Sequence, residues 1–447
     1  MNYDAAVRYL LTLGRELSAP TQAAAAKFDL ENITVVAERL GRPDRAYPSV
    51  HIAGTNGKGS TAAFLESILR HSGFRTGLNT SPHLERINER IRVNGEEISD
   101  AAFAEALTRV QGVIEELLAK GKLRAHPTYF ECVTAMAFEY FSRAEADFGV
   151  FEVGLGGRLD ATNILTPAVS IIARIDFDHE NFLGHSLKEI AWEKAGILKE
   201  GVPVVVAEQH AEAREVILAR ARELRCPVIE TAAAYRIENS VMEEGCARAL
   251  VTRMASGRSV DIAPQLKGGF QLQNALTAVA AAHVLQRQGF AIPPEAIQKG
   301  IATTVWPGRL EKLHSLPDVY LDGAHNPAAA RELASFWQQE LGNRKILLLY
   351  GALRDKAVDE IAGILFPHAA EVIFTEPCTS RAISASQLSE IAAHHAGHSS
   401  VIADAEQALD YLLSKAAPQD AVFVTGSLYL VGQLRHYWKQ RVQVAAS

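Results

Sequence analysis

Apolar residues recur along this chain at two periods, and the way those periods alternate predicts its architecture. Near the N-terminus, Val7, Leu10, Leu11 and Leu17 mark one stripe and Ile33, Val36 and Leu40 a second; spacings of three and four residues place such side chains on one helical face. Between them, Ser18–Leu30 carries few core-forming residues. From residue 49 the pattern changes. Unbroken apolar runs at Ser49–Ala53, Phe148–Val153, Val169–Ile175 and Val202–Ala207 read as strands covered on both faces, and the amphipathic stretches Tyr129–Arg143 and Leu187–Leu198 read as helices between them. Strand alternating with helix predicts parallel pairing through crossover connections. Residues 230–268 are mixed and shorter, which predicts antiparallel pairing, and a helix follows at Gln273–Gln288. After Trp306-Pro307-Gly308 a second alternating series begins, with strands at Val319–Leu321, Lys345–Tyr350, Glu371–Thr375 and Ala421–Thr425, each followed by a helix. The expected fold class is therefore α/β, with a larger unit over residues 1–303, a smaller doubly wound, Rossmann-like unit over 304–447, and a hinge at the Pro-Gly break near 303–308.

Composition narrows the function classes. With 447 residues, 48% hydrophobic and 22% charged, the chain has the profile of a multidomain globular protein. A net charge of −7 with no dense Lys/Arg stripe argues against nucleic acid as a partner. No apolar run reaches membrane-spanning length, and Met1-Asn-Tyr-Asp lacks a signal pattern, so no membrane association is expected. Four cysteines at 132, 226, 246 and 378 show no paired spacing and read as reduced thiols of a cytoplasmic protein. A monomer is expected.

The chemistry concentrates where predicted strands end. Ser49-Val-His-Ile-Ala runs into Gly54-Thr-Asn56-Gly57-Lys58-Gly59-Ser60-Thr61 and then into a helix-like stretch. Glycines let several N–H groups point inward as a phosphate nest, the helix N-terminus adds positive potential, and Lys58 adds a charge. Ser60 or Thr61 can offer a hydroxyl to magnesium. Gly59 stands where a hydroxyl normally follows the lysine, so the loop is a variant nucleotide loop, or else an ordinary strand-to-helix turn. The first reading makes the larger unit a P-loop ATPase-like domain. Phe148-Gly-Val-Phe-Glu152 sets a carboxylate in an apolar strand, which calls for a metal or a structural ion pair. The run Val169–Ile175 leads to Asp176-Phe-Asp178-His179, where His179 reads equally as a ligand or as a satisfied histidine. Gly154-x-Gly156 lacks the third glycine of a dinucleotide fingerprint, so hydride transfer is set aside. Lys194 shares a helical face with Leu187, Ile190, Ala191 and Leu198; either it snorkels to the rim, or desolvation frees its amine to take up CO₂ as a carbamate. Arg309 stands just past the hinge and Asp322-Gly-Ala-His325-Asn326-Pro327 runs from a strand end into a helix, from where Arg309 and Asp322 could reach across a cleft to the nucleotide.

These segments together resemble the folylpolyglutamate synthase/dihydrofolate synthase family, within the Mur-ligase-like ATP-dependent amide ligases. The matching pieces are Gly54–Ser60, Ser81-Pro-His-Leu84, Thr128-Tyr129-Phe130-Glu131, Glu152–Asn163, Asp178-His179 with Leu183-Gly184, Glu193–Ile197, Pro307-Gly-Arg309, Asp322–Pro327, Asp355-Lys356 and Thr425–Leu430. The resemblance implies that ATP phosphorylates a pterin-linked carboxylate and that L-glutamate attacks the acyl phosphate. It implies ATP contacts at Asn56, Gly57, Lys58, Gly59, Ser60, Asn274, Arg309, Asp322 and His325. It implies two magnesium sites at Ser60, Ser81, Glu152, His179 and Lys194 as its carbamate, and it admits a monovalent cation. Lys58, His179, Lys194 and Arg309 are the implied catalytic groups. Pterin contacts are implied at Phe28, Asp29, Leu30, Thr128–Glu131, Leu159, Asp160 and Ala161. Two places depart from the family pattern: Leu30 runs directly into Glu31-Asn-Ile33, and Phe270 precedes Gln271 where many relatives carry histidine. An enzyme confined to polyglutamate extension, or a cell-wall precursor ligase, are the alternatives within the superfamily. A nucleotide-dependent switch or transport ATPase is the alternative outside it.

Overall fold

The computed structural model describes residues 1–14 and 29–446. Leu17 of the first predicted stripe and Phe28 of the implied pterin segment lie outside the described residues.

Two mostly parallel sheets organise the chain. The first has eight strands in the order β4-β3-β2-β5-β1-β6-β7-β8, formed by β1 (Ser49–Ala53), β2 (Thr76–Asn79), β3 (Ile91–Val93), β4 (Glu96–Glu97), β5 (Phe148–Glu152), β6 (Val169–Ile172), β7 (Val204–Val206) and β8 (Val228–Glu230). Strands β2, β5, β1, β6, β7 and β8 run parallel, and β3 and β4 add an antiparallel edge. β1 sits at the centre with all five residues buried, which is why its sequence shows no alternation. One face is covered by the helices Lys58–His71, Phe270–Arg287 and Pro294–Ala302, and by a small antiparallel sheet of β9 (Tyr235–Glu243), β10 (Cys246–Arg253) and β11 (Ser259–Ile262). The opposite face carries Tyr3–Thr12, Glu31–Arg39, Asp100–Ala119 and Tyr129–Arg143. Thr128 caps the last of these, accepting from the Glu131 N–H while Glu131 receives the Thr128 N–H in return.

The second sheet has six strands, β12 (Glu311–His314), β13 (Asp318–Leu321), β14 (Ile346–Tyr350), β15 (Glu371–Phe374), β16 (Ser399–Val401) and β17 (Ala421–Thr425), in the order β12-β13-β17-β14-β15-β16. Only β12 is antiparallel, and helices pack on both faces.

Apolar patterning locates the strands whose residues are apolar and buried, including the short β6, β7 and β13, and misses those without an apolar run. β2, with Thr, Gly and Asn among its four residues, and β16, half exposed at the sheet edge, carry no apolar signature. Several strand ends retreat: β6 stops at Ile172 because the chain beside it has already turned into the glycine loop after Ala53, β5 stops at Glu152, β7 runs only over Val204–Val206, β14 begins at Ile346 and β15 stops at Phe374. Leu11, counted in the first apolar stripe, is 41% exposed, because the side of that helix turned to the core carries Tyr3, Ala6, Val7 and Leu10 instead.

Candidate active site

Since β5, β1 and β6 are neighbours, the loops at their carboxyl ends converge, as parallel sheets arrange for ligands. The β1 loop enters its helix with Gly57 at φ +82°, and a Cβ there would collide with Asn274 Oδ1; only glycine takes this turn and this contact without strain. The loop is pinned from beneath, the Thr55 and Asn56 N–H groups donating to the Arg174 carbonyl at 2.8 and 3.1 Å. Lys58 begins the helix Lys58–His71 and folds its Nζ back onto the carbonyls of Gly54 (3.0 Å) and Thr55 (3.1 Å). Burial holds its ammonium below the usual lysine range, with Glu152 and Asp178 pulling the other way. Gly59 lies against the Trp306 ring, and Ser60 is buried in the first helical turn.

Glu152 ends β5 with its side chain buried, accepting the Ser81 N–H at 3.1 Å. Among the described residues it has no ion-pair partner within 4.0 Å, and burial raises its pKa against the opposing pull of Lys58, Arg309 and Arg90. Lys194 is 5% exposed and donates to the Gly54 carbonyl at 2.9 Å. It therefore does not snorkel. Burial, with Lys58 nearby, brings its pKa down to about 7, so an appreciable fraction is neutral amine. His179 adopts a left-handed backbone (φ 52°, ψ 36°) and lies 3.9 Å from Asp178 and 3.9 Å from Asp355. Burial pushes its ring down to about 4, leaving the imidazole neutral.

From the second sheet, Asp322 follows β13 and is buried, receiving the N–H groups of Leu310 and Ala324, each at 2.9 Å. Arg309 precedes β12, its guanidinium donating to the Gly308 carbonyl at 3.2 Å. Asn56 and Asn326 exchange side-chain hydrogen bonds across the cleft. A cavity of about 790 Å³ opens over the glycine loop, lined by Asn56–Ser60, Ser81, Glu152, His179, Lys194, Asn274, Arg309, Asp322 and His325. All the implied nucleotide and metal positions are thus gathered in one place.

A second cavity of about 790 Å³ holds Asp29, Thr128–Glu131 and Leu159–Ala161 on one side, and Leu353, Lys356 and Thr379–Arg381 on the other. Of the implied pterin positions described, Leu30 alone turns away, packing among the N-terminal helices instead. Three others already serve the chain. Thr128 and Glu131 cap their helix, and Asp160 receives the N–H groups of Gly154 (2.9 Å), Leu155 (3.0 Å) and Thr162 (3.0 Å). Tyr129 is buried beneath the Arg90 guanidinium, 5.5 Å from the ring centre. The two cavities share Ser81, Pro82, Gly154–Gly156, His179, His325 and Leu428.

Reading strand ends one at a time does not reveal how the two units are tied. Asp178 reaches Lys356 (2.7 Å), Asn326 (3.3 Å) and His325 (3.4 Å), all on the second unit. Asp355 in turn receives Arg381 at 3.0 Å. Burial works to raise the Asp178 carboxyl, and Lys356, His179 and His325 together outweigh it, holding the group well below the usual carboxylate range. The only available signal was the occurrence of Asp178 and Asp355-Lys356 within the matched motifs.

The comparisons agree with this geometry. Residues 52–282 match the Mur ligase middle domain, and residues 308–428 match the Mur ligase glutamate ligase domain. The dihydrofolate synthase/folylpolyglutamate synthase of Bacillus subtilis is 37% identical over 400 residues, covering 89% of this chain and 92% of the relative. That of Escherichia coli is 34% identical over 408 residues, covering 91% and 90%. Mycobacterium tuberculosis folylpolyglutamate synthase complexed with ADP superposes with a TM-score of 0.89 at 30% identity, covering 98% and 99% of the two chains. Escherichia coli FolC in complex with DHPP and ADP gives 0.86 at 29% identity, covering 99% and 98%. No helix among the described residues is long and apolar enough to cross a membrane. Two Mur-type domains in tandem, near-complete coverage and a cleft lined from both sheets place this chain, an ATP-dependent amide ligase, in the dihydrofolate synthase/folylpolyglutamate synthase family.

Proposed function

We propose that this enzyme joins L-glutamate both to dihydropteroate and to the γ-carboxyl of reduced folates, by way of an acyl phosphate. One observation carries the reading: the glycine-loop cavity and the cavity bearing Thr128–Glu131 and Leu159–Ala161 share the wall of Ser81, Gly154–Gly156, His179 and His325. A triphosphate on one side and a pterin-linked carboxylate on the other would meet along that wall. Lys58 leaves its own loop's carbonyls to contact the phosphates, and Arg309 approaches them from the second unit. Asn274 and Asp322 complete the nucleotide's surroundings. Phosphoryl transfer rests on such positioning and charge neutralisation. The intermediate needs shelter from water, which a cleft closed by the Asp178 contacts supplies.

The donors fit magnesium. Glu152 is a buried carboxylate with no ion-pair partner among the described residues, Ser60 and Ser81 line the same cavity with their hydroxyls to offer, and His179 presents a neutral imidazole. Such a set suits an ion that keeps several waters and takes phosphate oxygens besides one or two protein donors. Magnesium, when bound, withdraws charge from the transferring phosphoryl group. We place a carbamate on Lys194, whose buried amine is the substrate such a modification needs, and we place the hinge at 303–308. A monovalent-cation site, a cytoplasmic location and a monomeric state complete the reading.

The test is direct. Purified protein with MgATP and L-glutamate should release phosphate only when dihydropteroate or a reduced folate is supplied, and both should serve. Turnover with tetrahydrofolate alone would reduce the enzyme to polyglutamate extension. Turnover with UDP-linked muramyl peptides instead would overturn the assignment.

A further inference from the structure

The helix Leu428–Ala446 begins at the cavity wall and lies against the loop that carries Ser81. A Cβ on Gly432 would run into the Leu84 carbonyl. The hinge residue Gly308 sits between Leu84 and Val431, where a Cβ would lie 3.0 Å from one side chain and 3.2 Å from the other. The loop itself is set by Glu89, whose carboxylate receives the N–H groups of Leu84, Glu85 and Arg86, each at 2.8 Å. One turn beyond Gly432, Arg435 is mostly buried, with 18% of its side chain exposed. Its guanidinium divides between two carboxylates. Nη1 donates to Glu85 on the Ser81 loop, and Nε donates to Glu311 at 2.9 Å. Glu311 in turn accepts the Gly308 N–H at 2.9 Å, directly ahead of Arg309.

We propose that Arg435 is a positioning residue for the ligase reaction: one guanidinium bridging Glu85 and Glu311 fixes the spacing between the Ser81 loop and the Arg309 turn. A planar fork can satisfy two carboxylates at a set separation, whereas a lysine ammonium is a single point on a flexible stem. Lys439 (2.7 Å) and His436 (3.5 Å) also contact Glu85 but, among the described residues, make no ion pair on the Arg309 side. They hold the helix to the loop without setting the distance. Because Ser81 and Arg309 belong to opposite units, a slip between helix and loop would separate the metal side of the cleft from the second unit's cation. The proposal rests on the roles given to Ser81 and Arg309 under the proposed function.

The experiment uses the full chain. Arg435→Lys and Arg435→Met are assayed for ATP-dependent ligation with a reduced folate and L-glutamate at varied magnesium. The expected result is a kcat lowered about tenfold, the scale seen when a supporting partner of a site residue is lost. The KM for the folate should stay within about twofold of wild type, and half-saturation by magnesium should need about threefold more metal. Arg435→Lys should unfold at the wild-type temperature within about 2 °C while kcat stays low, which separates positioning from stability. Glu85→Gln and Glu311→Gln should each lower kcat, and combining either with Arg435→Met should add little, because one bridge is broken in every case. A kcat for Arg435→Lys within about twofold of wild type, or additive losses in the double variants, overturns the proposal. Ser81→Ala and Arg309→Ala are run alongside. Full activity in those two would sink the site assignment itself; loss in them with active Arg435 variants would sink the bridge alone.

Discussion

At the residue scale, burial decides what each ionisable group can do. Lys194 and His51 lie in the same unit and both lose their charge preference to desolvation, with different consequences. Lys194→Ala should lower activity at least ~100-fold if its carbamate shapes the metal site, and acetate or another short-chain acid should restore part of it by supplying the missing carboxylate. Unchanged activity would remove the carbamate from the account. His51, on β1, is buried with Nε2 paired to Thr162 Oγ1 at 2.7 Å, and its pKa is pushed down to about 3. Since the unfolded ring titrates near 6.5, folding favours the neutral form. Its contribution is therefore complete above pH 6.5 and is lost as the pH falls from there toward 3, by up to about 1.4 kcal/mol per pH unit. Denaturant titrations of wild type and His51→Gln between pH 7 and about 4 should diverge in slope by this one proton; parallel curves would show that the ring is already protonated in the fold.

At the element scale, the position of the glycine-loop helix is set by what it leans on. Lys58–His71 is buried from Ser60 to Leu69, so its sequence cannot show a strong amphipathic stripe. Pro294–Ala302 crosses it so closely that a Cβ on Gly300 would lie 2.6 Å from the Ile68 backbone. Gly300→Ala should force those helices apart and cost ~1–3 kcal/mol, the usual penalty of overpacking. Calorimetry gives that number, and a nucleotide-binding assay should show weakened ADP affinity, because the displaced helix carries Lys58 and Ser60 at its start. A stable variant with wild-type affinity would mean the contact is slack. Elements also differ in how readable they were. Tyr129–Arg143 was legible to the residue because a Thr128–Glu131 capping box opens it and an apolar stripe runs through it. β2 was not, because its burial comes from its neighbours β5 and β3, and its own side chains are too small to announce it.

At the scale of the whole molecule, two separately built cores are joined by the packing of Leu84 and Phe270 on the second core and by polar contacts, of which those of Asp178 line the cleft. Asp178 and Lys356 are both nearly buried, with side-chain exposures of 9% and 5%. Breaking such a pair by removing one charge costs about 3–5 kcal/mol where no water replaces it. Asp178→Asn should therefore open the two units, raising the radius of gyration in solution scattering and lowering kcat at least ~100-fold, with each unit still folded. A variant that stays compact and active would show that other contacts close the cleft.

Much of the site was legible because its residues fall at the ends of strands whose burial leaves an unmistakable apolar run. Gly57, Lys58, Glu152 and Asp322 belong to this group. The sequence by itself determined the two parallel sheets, the glycine loop, and the identity of the groups each strand end would offer, because backbone hydrogen bonding and apolar burial act locally and leave a periodic trace. Tertiary structure alone decided that Lys194 stays inside rather than reaching the rim, that Asp160 is committed to its own turn, and that Asp178 finds Lys356 and Arg435 finds both Glu85 and Glu311. Those outcomes depend on which distant surfaces share a low-dielectric space, and no spacing along the chain encodes a distance across a cleft.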